Sequence, residues 1–398
     1  MSFQAALPRI LRVGGGISRE LAPLLGTLGL SRPLIVTDRF LRDSGRSDAL
    51  MDDLRAAGMT ARLFADTMAE PTAASIESAR AFLAEGDHDC VVGFGGGSPI
   101  DSAKAIAVLA IHGGACRDYL AIHGGACRDY KAPCLLDAPG LPIIAIPTTA
   151  GTGSEATRFT IVTDETTDEK MLLAGLAYLP IAALVDFELT LTMPPRLTAD
   201  TGIDALTHAM EAYVSRRANP FSDSFALSAM RAIATNLRRV WADPEDRAAR
   251  EAMMFGSTQA GIAFSNASVA LVHGMSRPIG AHFHVPHGLS NAMLLPTVTA
   301  FSAPGALGRY ADCARAMGIA APDEGNQGAV GKLIDDLARI NEELRVPTPA
   351  AFGIDPGEWE AILPLMAEQA LASGSPGNNP VVPDADEIQA LYRRAWNH

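Results

Sequence analysis

Hydrophobic positions follow two patterns along this chain, and the pattern changes once, near Pro194 and Pro195. Before this point, short apolar runs alternate with stretches of helical periodicity. The runs cover residues 33–38, 90–94 and 141–147, and the helical stretches cover 48–57 and a segment from about 99. Strands that are apolar throughout and separated by helices are typical of a parallel sheet covered on both faces. The first half is therefore predicted to be an α/β, Rossmann-like domain.

After Pro195 the pattern is almost entirely helical. Apolar residues at three-and-four spacing include Ala226, Met230, Ile233, Leu237 and Val240, and residues 331–344 follow the same rule. We therefore predict two domains, an α/β domain over residues 1–193 and an all-α domain over 194–398.

Composition narrows the class of protein. With 398 residues, 48% hydrophobic and 19% charged, the chain has enough apolar material for two folded cores. A formal charge of −13 argues against nucleic acid and anionic membranes as partners. No run approaches a membrane span and the N-terminus lacks an unbroken apolar core, so a cytoplasmic protein is expected. The cysteines are odd in number, lack CxxC pairs and are expected to be reduced thiols: Cys90, Cys116, Cys127, Cys134 and Cys313.

Four side chains in the helical half have the chemistry of a metal site. Asp204 and His208 are four apart in a helix-forming segment, which places them on one helix face. His273 and His287 are each followed by glycine, which permits close backbone approach. Three imidazoles and one carboxylate suit Fe(II) or Zn(II). The alternative is a surface Asp and His pair with unrelated histidines, but the apolar neighbours of His208 favour burial.

A glycine-rich turn in the first half is a candidate phosphate site. Residues 91–105 have the pattern strand, glycine turn, helix, with Ser98 predicted as N-cap and Pro99 at the first helical position. Such a turn lets the backbone and a helix N-terminus approach a pyrophosphate. It departs from the GxGxxG fingerprint, and a glycine turn without a ligand is the alternative.

Two further features favour a dinucleotide. Asp38 ends an apolar strand, where a carboxylate accepts hydrogen bonds from the adenosine ribose and repels a 2′-phosphate, which favours NAD over NADP. The strand ending near Pro147 leads into residues 148–155, which are rich in threonine and glycine. Ligands of open α/β sheets bind at that edge. An ordinary turn is the alternative at both places.

Four segments resemble the iron-containing, or group III, alcohol dehydrogenases across nearly the whole chain: GGGSPIDSAKA, PTTAGTGSE, GIDALTHAMEAY and HGMSRPIGAHFHVPHG. The resemblance implies a dehydroquinate-synthase-like fold with the active site between two domains, and frequent homo-oligomers such as dimers. It implies metal ligation by Asp204, His208, His273 and His287. It also implies NAD contacts, which for Lys170 rest on the resemblance alone: Asp38, Gly96, Gly97, Ser98, Thr148, Thr149, Thr152 and Lys170.

Three features depart from the family pattern. Arg277 stands where many relatives carry a histidine, and it is either a contact for an anionic substrate or half of a structural ion pair. Glu70 stands where relatives often have asparagine. Residues 109–119 are repeated without change as 120–130, which we interpret as a tandem insertion in a loop and not as a second metal site.

Together these features predict an enzyme that transfers hydride between a small alcohol or hydroxy acid and NAD with the help of a metal. The ligand chemistry fits Fe(II) and Zn(II) alike, and the resemblance favours iron. The cation polarises the substrate oxygen, and the sequence indicates no dedicated general base. The alternatives are a metal-dependent lyase of the dehydroquinate synthase type on the same scaffold and a non-catalytic nucleotide-binding protein.

Overall fold

The structure, a computed structural model, describes residues 2–112, 135–165 and 169–397. The chain divides into two compact units. The first, here called the α/β unit, comprises Ala6–Thr149 and Gly153–Thr190. The second, here called the helical unit, comprises Met1–Ala5, Ala150–Thr152 and Leu191–His398.

The strands of the described chain all lie in the α/β unit. They are β1 (Ile10–Val13), β2 (Pro33–Val36), β3 (Arg62–Phe64), β4 (Cys90–Gly95), β5 (Ile143–Pro147), β6 (Phe159–Asp164), β7 (Glu169–Ala174) and β8 (Ala182–Val185). Six of them form a parallel sheet in the order β1-β8-β5-β4-β2-β3, as the pattern of apolar runs predicts. The antiparallel pair β6 and β7 was not predicted.

Helices cover both faces of this sheet. They are α1 (Leu21–Leu28), α2 (Arg39–Asp43), α3 (Arg46–Ala56), α4 (Ala73–Ala84) and α5 (Gly97–His112). Neighbouring residues of β2 enter different cores because side chains alternate across a strand. Leu34 and Val36 pack with Ile76 and Ile106, whereas Ile35 packs with Leu54. The sheet is thus buried on both sides, which confirms the predicted fold class.

The turn after β4 depends on glycine. Gly95 has a φ of +154°, and a Cβ atom on it would lie 2.5 Å from Cγ of Pro99. Because L side chains rarely adopt this conformation and the ring leaves no room, glycine is required here. The chain can then turn from β4 directly into α5.

The predicted start of the following helix is wrong by two residues. Helix α5 begins at Gly97, so Ser98 and Pro99 lie within its first turn and Ser98 is not the N-cap. The hydroxyl of Ser98 instead donates to the carbonyl of Ala69. Its polar side chain is therefore used to fix a neighbouring loop, a contact that local sequence does not reveal.

The helical unit begins where the hydrophobic pattern changes. Its helices are α6 (Pro195–Val214), α7 (Pro220–Ala242), α8 (Arg247–Asn266), α9 (Leu271–Phe283), α10 (His287–Ser302), α11 (Leu307–Ala316), α12 (Asn326–Glu343), α13 (Pro349–Phe352), α14 (Pro356–Ala372) and α15 (Ala385–Ala395). The predicted apolar positions of α7 are all buried. This confirms the all-helical prediction for the described second half.

Other predictions have mixed outcomes. No helix among the described residues is long and apolar enough to cross a membrane. Cys90 and Cys313 are buried free thiols, as expected. The remaining cysteines and most of the tandem repeat, including Cys116, His123 and Cys127, lie outside the described residues.

Candidate active site

Helix α6 presents three buried polar side chains on one face. Asp204, His208 and Glu211 follow the i, i+4, i+7 spacing of a helix stripe, and each is less than a tenth exposed. Most of their neighbours on α6 are buried apolar residues. Charged groups in such surroundings must find partners, and the partners come from later helices.

The other two predicted ligands lie near the starts of α9 and α10. Nε2 of His273 is 3.4 Å from Oδ1 of Asp204, and the corresponding distances are 3.9 Å for His208 and 3.8 Å for His287. One ligand atom from each of the four residues lies within 4.8 Å of the others. The helical unit therefore brings together all four residues that the sequence singled out for a metal.

The glycine after each of these histidines allows a close approach of other chain segments. A Cβ atom on Gly288 would lie 2.5 Å from the carbonyl oxygen of Asp200 on α6. A Cβ on Gly274 would lie 2.8 Å from the ring of Pro376. The missing side chain after His287 thus permits α10 to begin against α6.

Glu211 fixes the position of His273, a role that sequence reasoning missed. Its carboxylate accepts hydrogen bonds from the backbone amides of Ala270 and Val272, at 2.8 and 2.6 Å. It therefore caps the start of α9, whose N-cap residue Ala270 has no capping side chain. The carboxylate also lies 2.7 Å from Nδ1 of His273. A carboxylate at Nδ1 holds the proton there and leaves Nε2 directed at the ligand group.

Burial and hydrogen bonds set the charges of these ligands. Burial disfavours a charged Asp204, but the histidines around it reverse this effect and hold its pKa well below the usual range. Burial lowers the pKa of His208 to about 4. Burial also disfavours a charged His273, but hydrogen bonds to Asp204 and Glu211 raise its pKa to about 9. A cation that binds here would displace the proton at Nε2 of His273 and leave the proton at Nδ1, beside Glu211, in place.

The donor set fits a divalent cation. One buried carboxylate oxygen and three imidazole nitrogens converge, and carboxylate with imidazole is the ligand chemistry of Zn(II) and Fe(II). Three of the four side chains are nearly inaccessible, whereas that of His287 is 38% exposed. The group is thus open on one side, as a catalytic metal site requires for substrate.

The predicted dinucleotide residues of the α/β unit follow three neighbouring strands. Asp38 follows β2, and its Oδ1 accepts from the amide of Leu41 at 2.9 Å, so it also caps α2. The amide of Thr148, just after β5, donates to the carbonyl of Gly95 at 2.9 Å, which joins this loop to the glycine turn. A Cβ on Gly96 would lie 3.5 Å from Thr149. Thr152, by contrast, belongs to the helical unit.

The loop before α4 brings Lys170 toward the glycine turn. Nζ of Lys170, on β7, lies 2.6 Å from Oε1 of Glu70. The adjacent residue Ala69 accepts the hydrogen bond from Ser98 described above. Glu70, which departs from the family pattern, is thus the ion-pair partner of the lysine that the family resemblance singles out.

Arg277 lies on α9 one turn after His273, on the same helix face. Its Nη1 donates to the hydroxyl of Ser375 at 3.1 Å. Burial lowers the pKa of its guanidinium, while the charge of Glu211 acts in the opposite direction. Among the described residues no carboxylate lies within ion-pair distance of Arg277, and the charge of Glu211 acts on it from farther away.

The chain thus combines a parallel-sheet unit with a helical unit whose carboxylate and histidine cluster fits a metal-dependent enzyme. Residues 8–187 match the iron-containing alcohol dehydrogenase family, and residues 198–396 match its C-terminal part, the Fe-containing alcohol dehydrogenase family, C-terminal. The chain belongs to the iron-containing alcohol dehydrogenase family. It is an oxidoreductase that acts on CH–OH groups, and the lyase alternative receives no support.

Relatives match over nearly their full length. Long-chain-alcohol dehydrogenase 1 of Geobacillus thermodenitrificans (strain NG80-2) is 39% identical over 98% of this chain and 95% of its own. The NAD-dependent methanol dehydrogenase of Bacillus methanolicus is 33% identical over 98% of each chain. Among solved structures, a 1,3-propanediol oxidoreductase superposes with a TM-score of 0.92 at 34% identity, covering 99% of this chain and 100% of its own.

Proposed function

We propose that this protein is an NAD-dependent alcohol dehydrogenase whose Asp204, His208, His273 and His287 bind Fe(II). The observation that carries the proposal is the convergence of these four ligand atoms within 4.8 Å of one another in a buried part of the helical unit. Zn(II) fits the same donors, and iron is preferred because of the family. When bound, the cation acts as a Lewis acid on the substrate oxygen.

The chain's own residues prepare this chemistry. Asp204 supplies the negative charge that retains a divalent cation. Glu211 holds the proton of His273 at Nδ1, away from the ligand side. The exposed side of His287 leaves an approach for a small alcohol or aldehyde. No side chain is assigned as a general acid or base.

For the α/β unit we propose NAD as the bound dinucleotide, which accepts and returns the hydride. The residues proposed to contact it are Asp38, Gly96, Gly97, Ser98, Thr148, Thr149 and Lys170, together with Thr152. Support comes from the glycine turn at the N-terminus of α5 and from the carboxylate that follows β2. The Glu70 carboxylate is proposed to fix the Lys170 ammonium beside this turn.

Several broader assignments belong to the same proposal. Residues 1–193 are assigned as the dinucleotide-binding domain and 194–398 as the metal-binding domain. A homo-oligomer, such as a dimer, and a cytoplasmic location are also proposed. The domain assignment rests on the two compact units, whereas the homo-oligomer and the cytoplasmic location rest on the family resemblance and composition.

Metal reconstitution tests this function. The purified protein is stripped with a chelator, reloaded with Fe(II) or Zn(II), and assayed with NAD and primary alcohols, diols and hydroxy acids. Stripped protein is expected to lose at least about 1000-fold in rate, since Lewis-acid stabilisation contributes several kcal/mol. Fe(II) should restore NADH formation. Absence of NADH formation with every ion and every alcohol would contradict the proposal.

Arg277 is proposed as the contact for an anionic group of the substrate. It lies one helical turn from His273 and lacks a carboxylate partner among the described residues. Arg277→Leu should lower kcat/KM for an aldehyde that carries a carboxylate or sulfonate by about tenfold or more, while a neutral aldehyde of equal length changes less. An unchanged ratio between the two substrates would reject this contact.

A further inference from the structure

Asn291 contacts the predicted metal ligands. It is fully buried on α10, one turn after His287. Its Nδ2 lies 2.6 Å from Oδ1 of Asp204 and 3.2 Å from Nε2 of both His273 and His287. The amide nitrogen is therefore within hydrogen-bond distance of ligand atoms from three different helices.

The carboxylate is the main partner of this amide. An amide nitrogen carries two hydrogens, so it cannot serve three acceptors fully. An ionised carboxylate is a stronger acceptor than a neutral group, and the contact with Asp204 is the shortest of the three. Because Asp204 also lies near all three histidines, a donor at its Oδ1 fixes the direction in which this carboxylate faces.

The other end of the same side chain has no such partner. Oδ1 of Asn291 is buried and has no hydrogen-bond partner among the described residues. An unpaired buried carbonyl oxygen costs about 1 to 3 kcal/mol. An apolar side chain of similar size would fill this space without that cost. The role of the amide therefore lies at its nitrogen end, against the ligands.

We propose that Asn291 is a positioning residue of the metal centre, which orients the Asp204 carboxylate toward the three imidazoles. This inference rests on the metal site of the proposed function. Without the amide, Asp204 is free to turn away from the ligand group, and cation binding must first restore its orientation.

The test measures metal affinity directly. Co(II) serves as the probe, because its d–d absorption reports ligand geometry and its dissociation constant is measured by competition with a chelator. Asn291→Ala is expected to raise that constant about 10- to 100-fold and to change the d–d spectrum. Asn291→Leu, which retains more of the packing volume, should behave in the same way.

Asn341→Ala is the matched control. Asn341, which is partly buried, also donates an amide hydrogen to α10, to the carbonyl of Ala292 at 2.7 Å, and in the described part of the chain it has no hydrogen bond to the four ligands. Its Co(II) dissociation constant should stay within about twofold of the parent value, since only one structural hydrogen bond is lost.

The results distinguish a failure of the positioning role of Asn291 from a failure of the proposed metal site. If Asn291→Ala and Asn291→Leu bind Co(II) as tightly as the parent and with the same spectrum, the positioning role is overturned. If the parent protein itself takes up no Co(II), the metal site of the proposed function is overturned instead. Circular dichroism of each variant shows whether it has folded. If only one of Asn291→Ala and Asn291→Leu folds, the Co(II) affinity and spectrum of that variant decide whether Asn291 has the positioning role.

Discussion

Two groups of largely buried charged residues differ in the source of their positive charge. In the α/β unit, the ammonium of Lys104 donates to the carbonyl and hydroxyl of Thr157, both at 3.0 Å, and to the carbonyl of Phe159 at 2.7 Å. Asp101, 4.0 Å from this ammonium, accepts from Ser154 at 2.6 Å and from a backbone amide. Three ammonium hydrogens meet three acceptors, so this group is complete.

The group in the helical unit contains imidazoles in place of a lysine. Around Asp204, three imidazole nitrogens and a carboxylate oxygen face one another, and the amide of Asn291 is the added donor. Protonated His273 supplies the positive charge in this group, and a divalent cation can displace that proton. Burial alone does not distinguish the two groups, but the source of their positive charge does.

The largest expected effect comes from breaking the complete group. Lys104→Met leaves three oxygen acceptors, two on Thr157 and one on Phe159, without their donor, and we expect a loss of about 3 to 5 kcal/mol in the free energy of unfolding, at about 1 to 3 kcal/mol for each acceptor. Denaturant titration measures this loss. Lys332→Met, which removes an exposed ion pair with Glu324, is the control and should cost at most about 1 kcal/mol. A change in Co(II) affinity caused by Lys104→Met would contradict the distinction between the two groups.

The same lysine predicts a pH dependence of stability. Burial lowers the pKa of Lys104 from 10.5 to about 8, so between these values the unfolded chain binds more protons than the folded protein. The free energy of unfolding of the parent should therefore gain up to about 3 kcal/mol from this group as the pH rises from 8 to 10.5. Lys104→Met should lack this gain. Parallel stability curves for parent and variant across that range would contradict the assignment.

A change in the group around Asp204 should affect metal binding more than folding. Glu211→Gln weakens the hold on the Nδ1 proton of His273, and the Co(II) dissociation constant should rise about 10- to 100-fold. Ser154→Ala, which removes the corresponding partner of Asp101, should leave Co(II) binding unchanged. Equal effects of the two variants on Co(II) affinity would remove the contrast between the groups.

The smallest expected effect concerns the close approach of α10 to α6 at Gly288. In Gly288→Ala, the new methyl group would lie 2.5 Å from the carbonyl of Asp200, and the shift needed to relieve this contact should cost about 1 to 3 kcal/mol. Thermal unfolding measures this cost. Gly331→Ala on α12, where a Cβ meets nothing within 4 Å, is the control and should not destabilise the protein. A Gly288→Ala protein as stable as the parent would show that α10 has room to move away from α6.

Sequence predicted the features that depend on periodicity and residue type. The parallel sheet, the helical second half and the grouping of Asp204 with the three histidines follow from apolar spacing and ligand chemistry. The predicted start of α5 was wrong because the Ser98 hydroxyl donates to the carbonyl of Ala69, 29 residues away in sequence, instead of capping the helix. Glu211 was missed as a partner of His273 because that contact joins residues 62 apart in sequence. Its spacing of seven from Asp204 on one buried stripe was the available signal.

The uneven accessibility of the ligand group has a consequence for how the enzyme acquires its ion. Because His287 is the partly exposed member of the proposed ligand set, we expect ions to enter and leave past this imidazole. We therefore expect the ion in a purified sample to depend on the metals supplied during growth and purification as well as on intrinsic preference. Replacement of His287 should accelerate exchange in both directions, so that a chelator empties the protein faster.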